Sequence, residues 1–253
     1  MNQKEFWELI DEVNQEAKPW DKDSILIGTQ KKLLELPAQE IIDFHNLLKL
    51  YMELADTPCL TAAAIAINDG VSDDSFTDFR AWLVSQGRDI YQKALKCADS
   101  LAEVDIPSEP YSTIFEFYGY IGSYAYRAKC LLEQKGIQRM DKNEYFALKP
   151  KGTELVKHIL EYSCVYDDPY ANSNDSIIKG LYVMLHNEMG SYNVYDAAVV
   201  RPLSKQQEKK IRSELEFEPS PGRKRRWTAA ELQKVVPELY SRYQEHSYTM
   251  VGM

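Results

Sequence analysis

The chain has 253 residues, 44% of them hydrophobic, with 30 Lys and Arg against 39 Asp and Glu for a formal net charge of -9. That apolar content supports a sizeable buried core, while the acidic balance repels nucleic acid and anionic lipid and steers in a basic partner. No apolar run approaches the roughly 20 residues that a bilayer span requires, and the opening MNQKEFWELI lacks the layout of a secretory signal, so a soluble cytoplasmic protein is expected.

In chain order the dominant signal is helical. KEFWELIDEVNQ sets Phe6, Leu9, Ile10 and Val13 three and four residues apart, which places one apolar stripe on a charged helix. After Pro19 the stretch DSILIGTQKKLLEL repeats the pattern. Pro37 then sits where a first helical turn tolerates it and opens a helix with Ile41, Phe44, Leu47, Leu48 and Tyr51 facing inward. From Pro58, LTAAAIAIN is small and apolar almost all round, as suits a central helix that neighbours approach closely, and Asn68, Asp69 and Gly70 end it.

The stretch SDDSFTDFRAWLVSQGRDIY, residues 72–91, carries the main functional question. Ser72, Asp73 and Asp74 suit a helix start, where a short oxygen accepts from free backbone N–H groups and negative charge meets the positive end of the dipole. Phe76, Phe79 and Leu83 share a face bordered by Trp82 and Arg80, and Gly87 provides a left-handed stop. Arg80, flanking two phenylalanines, needs a fixed acceptor once buried. Asp73 is two turns distant, roughly 10 Å along the axis, so a different segment is expected to supply that acceptor. Arg88 opens the next helix, a mildly unfavourable place for a cation, and it too calls for a specific partner.

These residues also carry a resemblance. Ser72-Asp73-Asp74, Phe76, Phe79-Arg80, Trp82-Leu83, Gln86-Gly87-Arg88, Tyr91, Ala94-Leu95 and Asp99-Ser100-Leu101-Ala102 resemble the signature of the bacterial family called domain of unknown function 4240. Phe6 to Glu12 is similar to that family's opening, and Val236 to Tyr243 to its closing helix. The resemblance is clearest over residues 3–102. It implies a helical bacterial fold and brings no reaction with it. Ala98 stands where the family usually has proline, which points to a local turn difference, and residues from about 103 to 200 read as an insertion or extension.

That extension is rich in tyrosine. Tyr111, Phe115, Phe117, Tyr118, Tyr120, Tyr124 and Tyr126 are interleaved with Gly119 and Gly122 and followed by Arg127. Glycines three apart let another helix pack tightly, and the bland reading of the aromatics is core. The sharper one is a recognition surface of Tyr118, Tyr120, Tyr124 and Arg127, joined by Tyr166, Asp167 and Asp168 from the turn-rich loop YSCVYDDPYANSNDS, because tyrosine and arginine anchor interfaces. Further on, SYNVYDAAVVRPLS reads as a short strand or extended connection, and KQQEKKIRSELEFE as a charged helix. The basic run Arg223, Lys224, Arg225, Arg226 has only Trp227 beside it, too little for a nucleic-acid face. TAAELQKVVPELYSRYQEH, capped by Thr228 with Glu231, closes the fold as one helix.

The whole of 1–253 is thus expected to be a single all-α domain, a compact multi-helix bundle with at most one short strand pair or extended segment in 145–200. It divides into the family-like core 1–102, the aromatic-rich stretch 103–200, and the charged helix, basic loop and closing helix of 201–253. Cys59, Cys97, Cys130 and Cys164 are far apart and read as buried thiols in a reducing compartment. His158 with Glu161, and His186 with Glu188, lack the further ligands of a metal site. Phosphate-binding glycine loops and a Gly-x-Ser-x-Gly elbow are missing from the sequence, so no cofactor or metal is expected. Two functions stay open. The favoured one is a non-enzymatic interaction module whose acidic, tyrosine-rich surface binds a basic protein, toxin-neutralising immunity proteins being an instance. The alternative is an enzyme whose cleft gathers Asp73, Asp74, Arg80 and Arg88 around an anionic small molecule, with carboxylates as general base.

Overall fold

A computed structural model describes residues 1–109, 111–134, 203–215, 222 and 226–247. Their regular structure is helical, with no strand among them. The expected strand pair or extended segment in 145–200 lies outside the described residues.

Each helix starts where its side chains can satisfy the free N–H groups of the first turn. In α1 (Gln3–Glu16), Asn2 and Glu5 form a reciprocal capping box, and Phe6, Trp7, Leu9, Ile10 and Val13 are buried. Asp21 caps α2 (Lys22–Glu35). Before α3 (Ala38–Leu54), the Pro37 carbonyl accepts the first bonds, from Glu40 and Ile41. Thr57 caps α4 (Pro58–Asn68), which has proline in its first turn and ends on Asp69 in the left-handed region at φ 53°.

Ser72 and Ser75 cap α5 (Asp73–Ser85) reciprocally, and Gly87 leads into α6 (Arg88–Lys96). A 3-10 turn at Ala98–Glu103 follows, beginning at the residue where a proline was expected from the family. Beyond it lie α7 (Glu116–Gln134), α8 (Lys205–Ser213), α9 (Ala229–Val235) and α10 (Pro237–Ser247). The single closing helix read from the sequence is therefore two. Val236 leaves the helical region at φ -134° and ψ 63°, because the ring of Pro237 disfavours helical geometry in the residue before it.

The chain falls into two compact units. One holds Met1, Asp21–His45 and α7 from Tyr120 onward. Here the amino group of Met1 donates to the Asp43 carboxylate at 2.7 Å, and α7 approaches α3 closely at Gly122. A Cβ on Gly122 would lie 2.7 Å from His45 Cβ and 3.0 Å from His45 Cα. The second distance is to backbone, so only a shift of a whole helix would relieve it.

The other unit holds Asn2–Trp20, Asn46–Gly119 and the described residues from 203 onward. Its central helix is α4, touched by α5, the 3-10 turn, α9 and α10. Buried Ala62, Ala63, Ala64 and Ala66 let these neighbours come near, as the small-residue composition implies. Asp99 holds α10 in place by accepting from the backbone N–H groups of Glu238 and Leu239 at 3.1 and 3.0 Å. Arg242 donates back to the carbonyls of Ala102 and Val104 at 2.7 and 2.9 Å. A buried aromatic group of Phe6, Trp7, Tyr51 and Tyr91 ties α1, α3 and α6, with Tyr91 Oη donating to the Tyr51 carbonyl at 2.7 Å.

Gly119 contrasts with Gly122. Its Cβ would come nearest Met52 Cε at 3.4 Å and Ala81 Cβ at 3.6 Å, both ordinary packing distances. Alanine at 119 is thus expected to be neutral or to stabilise by up to about 1 kcal/mol through helix propensity. Alanine at 122 is expected to lower stability by about 1 to 2 kcal/mol, overpacking outweighing the same gain. Thermal unfolding of the two variants side by side checks the opposite signs. Among the described residues no single helix is long and apolar enough to cross a membrane.

Candidate functional site

Arg80 is 8% exposed, and both terminal nitrogens of its guanidinium are engaged by the protein itself. Nη1 donates to the Met52 carbonyl at 3.0 Å and lies 3.4 Å from Asp56 Oδ2. Nη2 donates to Thr77 Oγ1 at 2.9 Å, and Thr77 in turn donates to the Asp73 carbonyl at 3.0 Å. The Phe76 ring lies 5.1 Å beneath the guanidinium carbon, within the range of a cation–π contact. The acceptor required by burial does come from another segment: Met52 closes α3, and Asp56 leads into α4. Arg80 thereby ties the middle of α5 to the α3–α4 corner.

The other members of the proposed Asp/Arg cleft are placed differently. Asp73 and Asp74 are exposed in the first turn of α5, where they complement the helix dipole. Arg88 is exposed at the first position of α6. Its backbone N–H donates to the Asp11 carboxylate of α1, and the two residues also attract electrostatically. Asp11 thus caps α6 from outside, in place of a capping side chain on Gly87. Burial nevertheless pushes the Asp11 carboxyl above its ordinary range.

Asp78 stands out although no motif selects it. Burial first, then the like charges of Glu116 and Asp74, push its carboxyl up to about 6, against weaker attraction from Arg80 and Lys49. Carboxyls perturbed in this way gather at functional sites, and also in structural networks. The only sequence signal was its position one turn after Asp74 on α5, a spacing shared by many exposed helix faces.

The aromatic candidates separate. Tyr118 is fully buried, its ring 5.2 Å from that of Phe115, so it belongs to the core and cannot take part in the surface once assigned to it. Tyr120 is 48% exposed. Tyr124 and Arg127 follow on α7 at intervals of four and three, with side chains outside the described set. Tyr166, Asp167 and Asp168 also lie outside the described residues, as do the His158–Glu161 and His186–Glu188 pairs and positions 223–225 of the basic run. Cys59 and Cys97 are exposed rather than buried. Cys59 occupies the open first turn of α4, and Cys97 the break after α6, where local apolar composition does not dictate which way a side chain turns. Among the described residues no three His, Cys, Asp or Glu side chains are grouped to hold a metal ion.

The family described as "Protein of unknown function (DUF4240)" matches residues 1–128, which takes in the first part of the aromatic stretch as well as the 72–102 signature. No curated protein and no solved structure matches the chain.

Proposed function

This chain belongs to the DUF4240 family of proteins of unknown function, and on that premise we propose that it is a non-enzymatic helical interaction protein of the bacterial cytoplasm that binds a basic protein partner. The observation that carries this reading is the commitment of Arg80 to Met52, Thr77 and Asp56. The cation best suited to hold a substrate anion is spent on joining α5 to the α3–α4 corner, while Asp73 and Asp74 face solvent at a helix start. The net charge of -9 favours a basic partner by long-range steering. Tyr120, half-exposed at the head of the Tyr120, Tyr124, Arg127 series, is of the type that anchors interfaces.

The experiment is affinity isolation from the host, followed by binding measurements on the recovered protein. A basic protein in 1:1 stoichiometry is expected. Its affinity should weaken as salt rises, drop about tenfold in Tyr120→Ala, and change little in Asp74→Asn. The enzyme alternative has the raised carboxyl of Asp78 in its favour. It is supported instead if a clean monomer retains an anionic small molecule whose turnover disappears in Asp74→Asn.

A further inference from the structure

Where the chain enters α7 it is fastened to α5. The Phe115 backbone N–H donates to the Asp78 carbonyl at 3.3 Å, and the Asp78 side chain is half-buried at this joint, with no hydrogen-bond or ion-pair partner among the described residues. Carboxyl groups converge on it from both helices. Asp74 precedes Asp78 by one turn of α5, and Glu116 directly follows Phe115 in α7; both act on Asp78 as like charges. The cations that face it do not offset them. Arg80 of α5 is held by Met52, Thr77 and Asp56, and Lys49 of α3 acts more weakly still.

We propose that the α5–α7 joint is a proton-operated latch, closed while Asp78 is neutral and worked open once Asp78 ionises, when opening lets water reach its charge and moves it away from Glu116 across the joint. The opening is local. A second tie in the same stretch, from Thr113 Oγ1 to Asn68 Oδ1 at 3.0 Å, contains no titratable group and holds at either pH. The shift of Asp78 from 3.8 to about 6 puts the change at mildly acid pH. A folded-state value above the unfolded one means that the folded form binds the proton more tightly. The stabilisation is therefore complete below about pH 4 and is lost as pH rises through about 6.

The test is amide hydrogen exchange at Phe115, corrected for the intrinsic pH dependence of exchange and read against the Tyr91 amide, which bonds the Gly87 carbonyl at 3.1 Å. Between about pH 5 and about pH 7.5 the Phe115 protection factor of the wild type should fall about tenfold while Tyr91 holds. In Asp78→Asn, whose side chain stays neutral, the Phe115 value should be the same at both. Glu116→Gln, an exposed substitution that leaves the fold intact, should show a smaller fall. Unchanged protection in the wild type, an equal fall in Asp78→Asn, or an undiminished fall in Glu116→Gln each overturns the latch.

Discussion

Arg80→Ala is expected to lower stability by about 3 kcal/mol, the size seen when one partner of a buried pair is removed. Three losses combine. The Met52 carbonyl gives up its donor, Asp56 gives up its cation, and the hydrocarbon stem no longer covers Phe76. Asp56 is 31% exposed at its side chain, so water relieves part of its loss, which keeps the figure at the low end of that range. Arg80→Lys should recover about half, because an ammonium on a flexible stem keeps the charge but cannot span Met52 and Thr77 as a planar fork does. Urea unfolding checks both, with a midpoint shift of about 1 M for the alanine variant. An Arg80→Ala protein as stable as the wild type would mean that the guanidinium does not hold the corner.

Gly87→Ala is expected to be about as damaging, at about 3 kcal/mol, for two separable reasons. Gly87 sits at φ 92° and ψ 170°, a region that only glycine occupies without strain. A Cβ there would also lie 2.5 Å from Asp11 Oδ1, forcing the carboxylate off the N–H of Arg88 and uncapping α6. Asp11→Ala alone should cost about 1 kcal/mol, the value of a lost cap. In that background Gly87→Ala should cost about 1 kcal/mol less than in the wild type, since the collision is gone and only the backbone strain remains. Strictly additive effects in this double-mutant cycle would show that Asp11 and Gly87 do not meet.

The helices of the first hundred residues were legible because their signals are local. Apolar spacing marked the buried stripe of α1, Ser72 and Gly87 marked the limits of α5, and the run of alanines marked α4 as the helix others pack against. Burial of Arg80 and its need for an outside acceptor followed from its two phenylalanine neighbours. The identity of that acceptor did not, because Met52 and Asp56 are brought to α5 by the turn between α3 and α4, and no periodicity encodes that juxtaposition. Asp11 beneath Gly87 was hidden for the same reason.

Tyr118 was misplaced although the signal was present. Phe115, Tyr118, Ile121 and Ala125 form one buried stripe at helical spacing. Tyr120, two residues on and about 200° around the axis, faces outward. Reading the tyrosines as one compositional cluster merged two faces of a helix. Asp78 carried only the Asp74 spacing as a local mark, since its perturbation comes first from burial and next from Glu116, which lies far along the chain.

Arg80 belongs to the scaffold, with both terminal guanidinium nitrogens taken by the protein itself. Nitrogen-detected NMR of its guanidinium during titration with millimolar phosphate tests this most directly. Resonances that exchange slowly with water and stay fixed throughout are the expected result. A saturable shift at Arg80 as phosphate is added would show a cation open to anions, and would contradict the assignment on which the interaction reading rests.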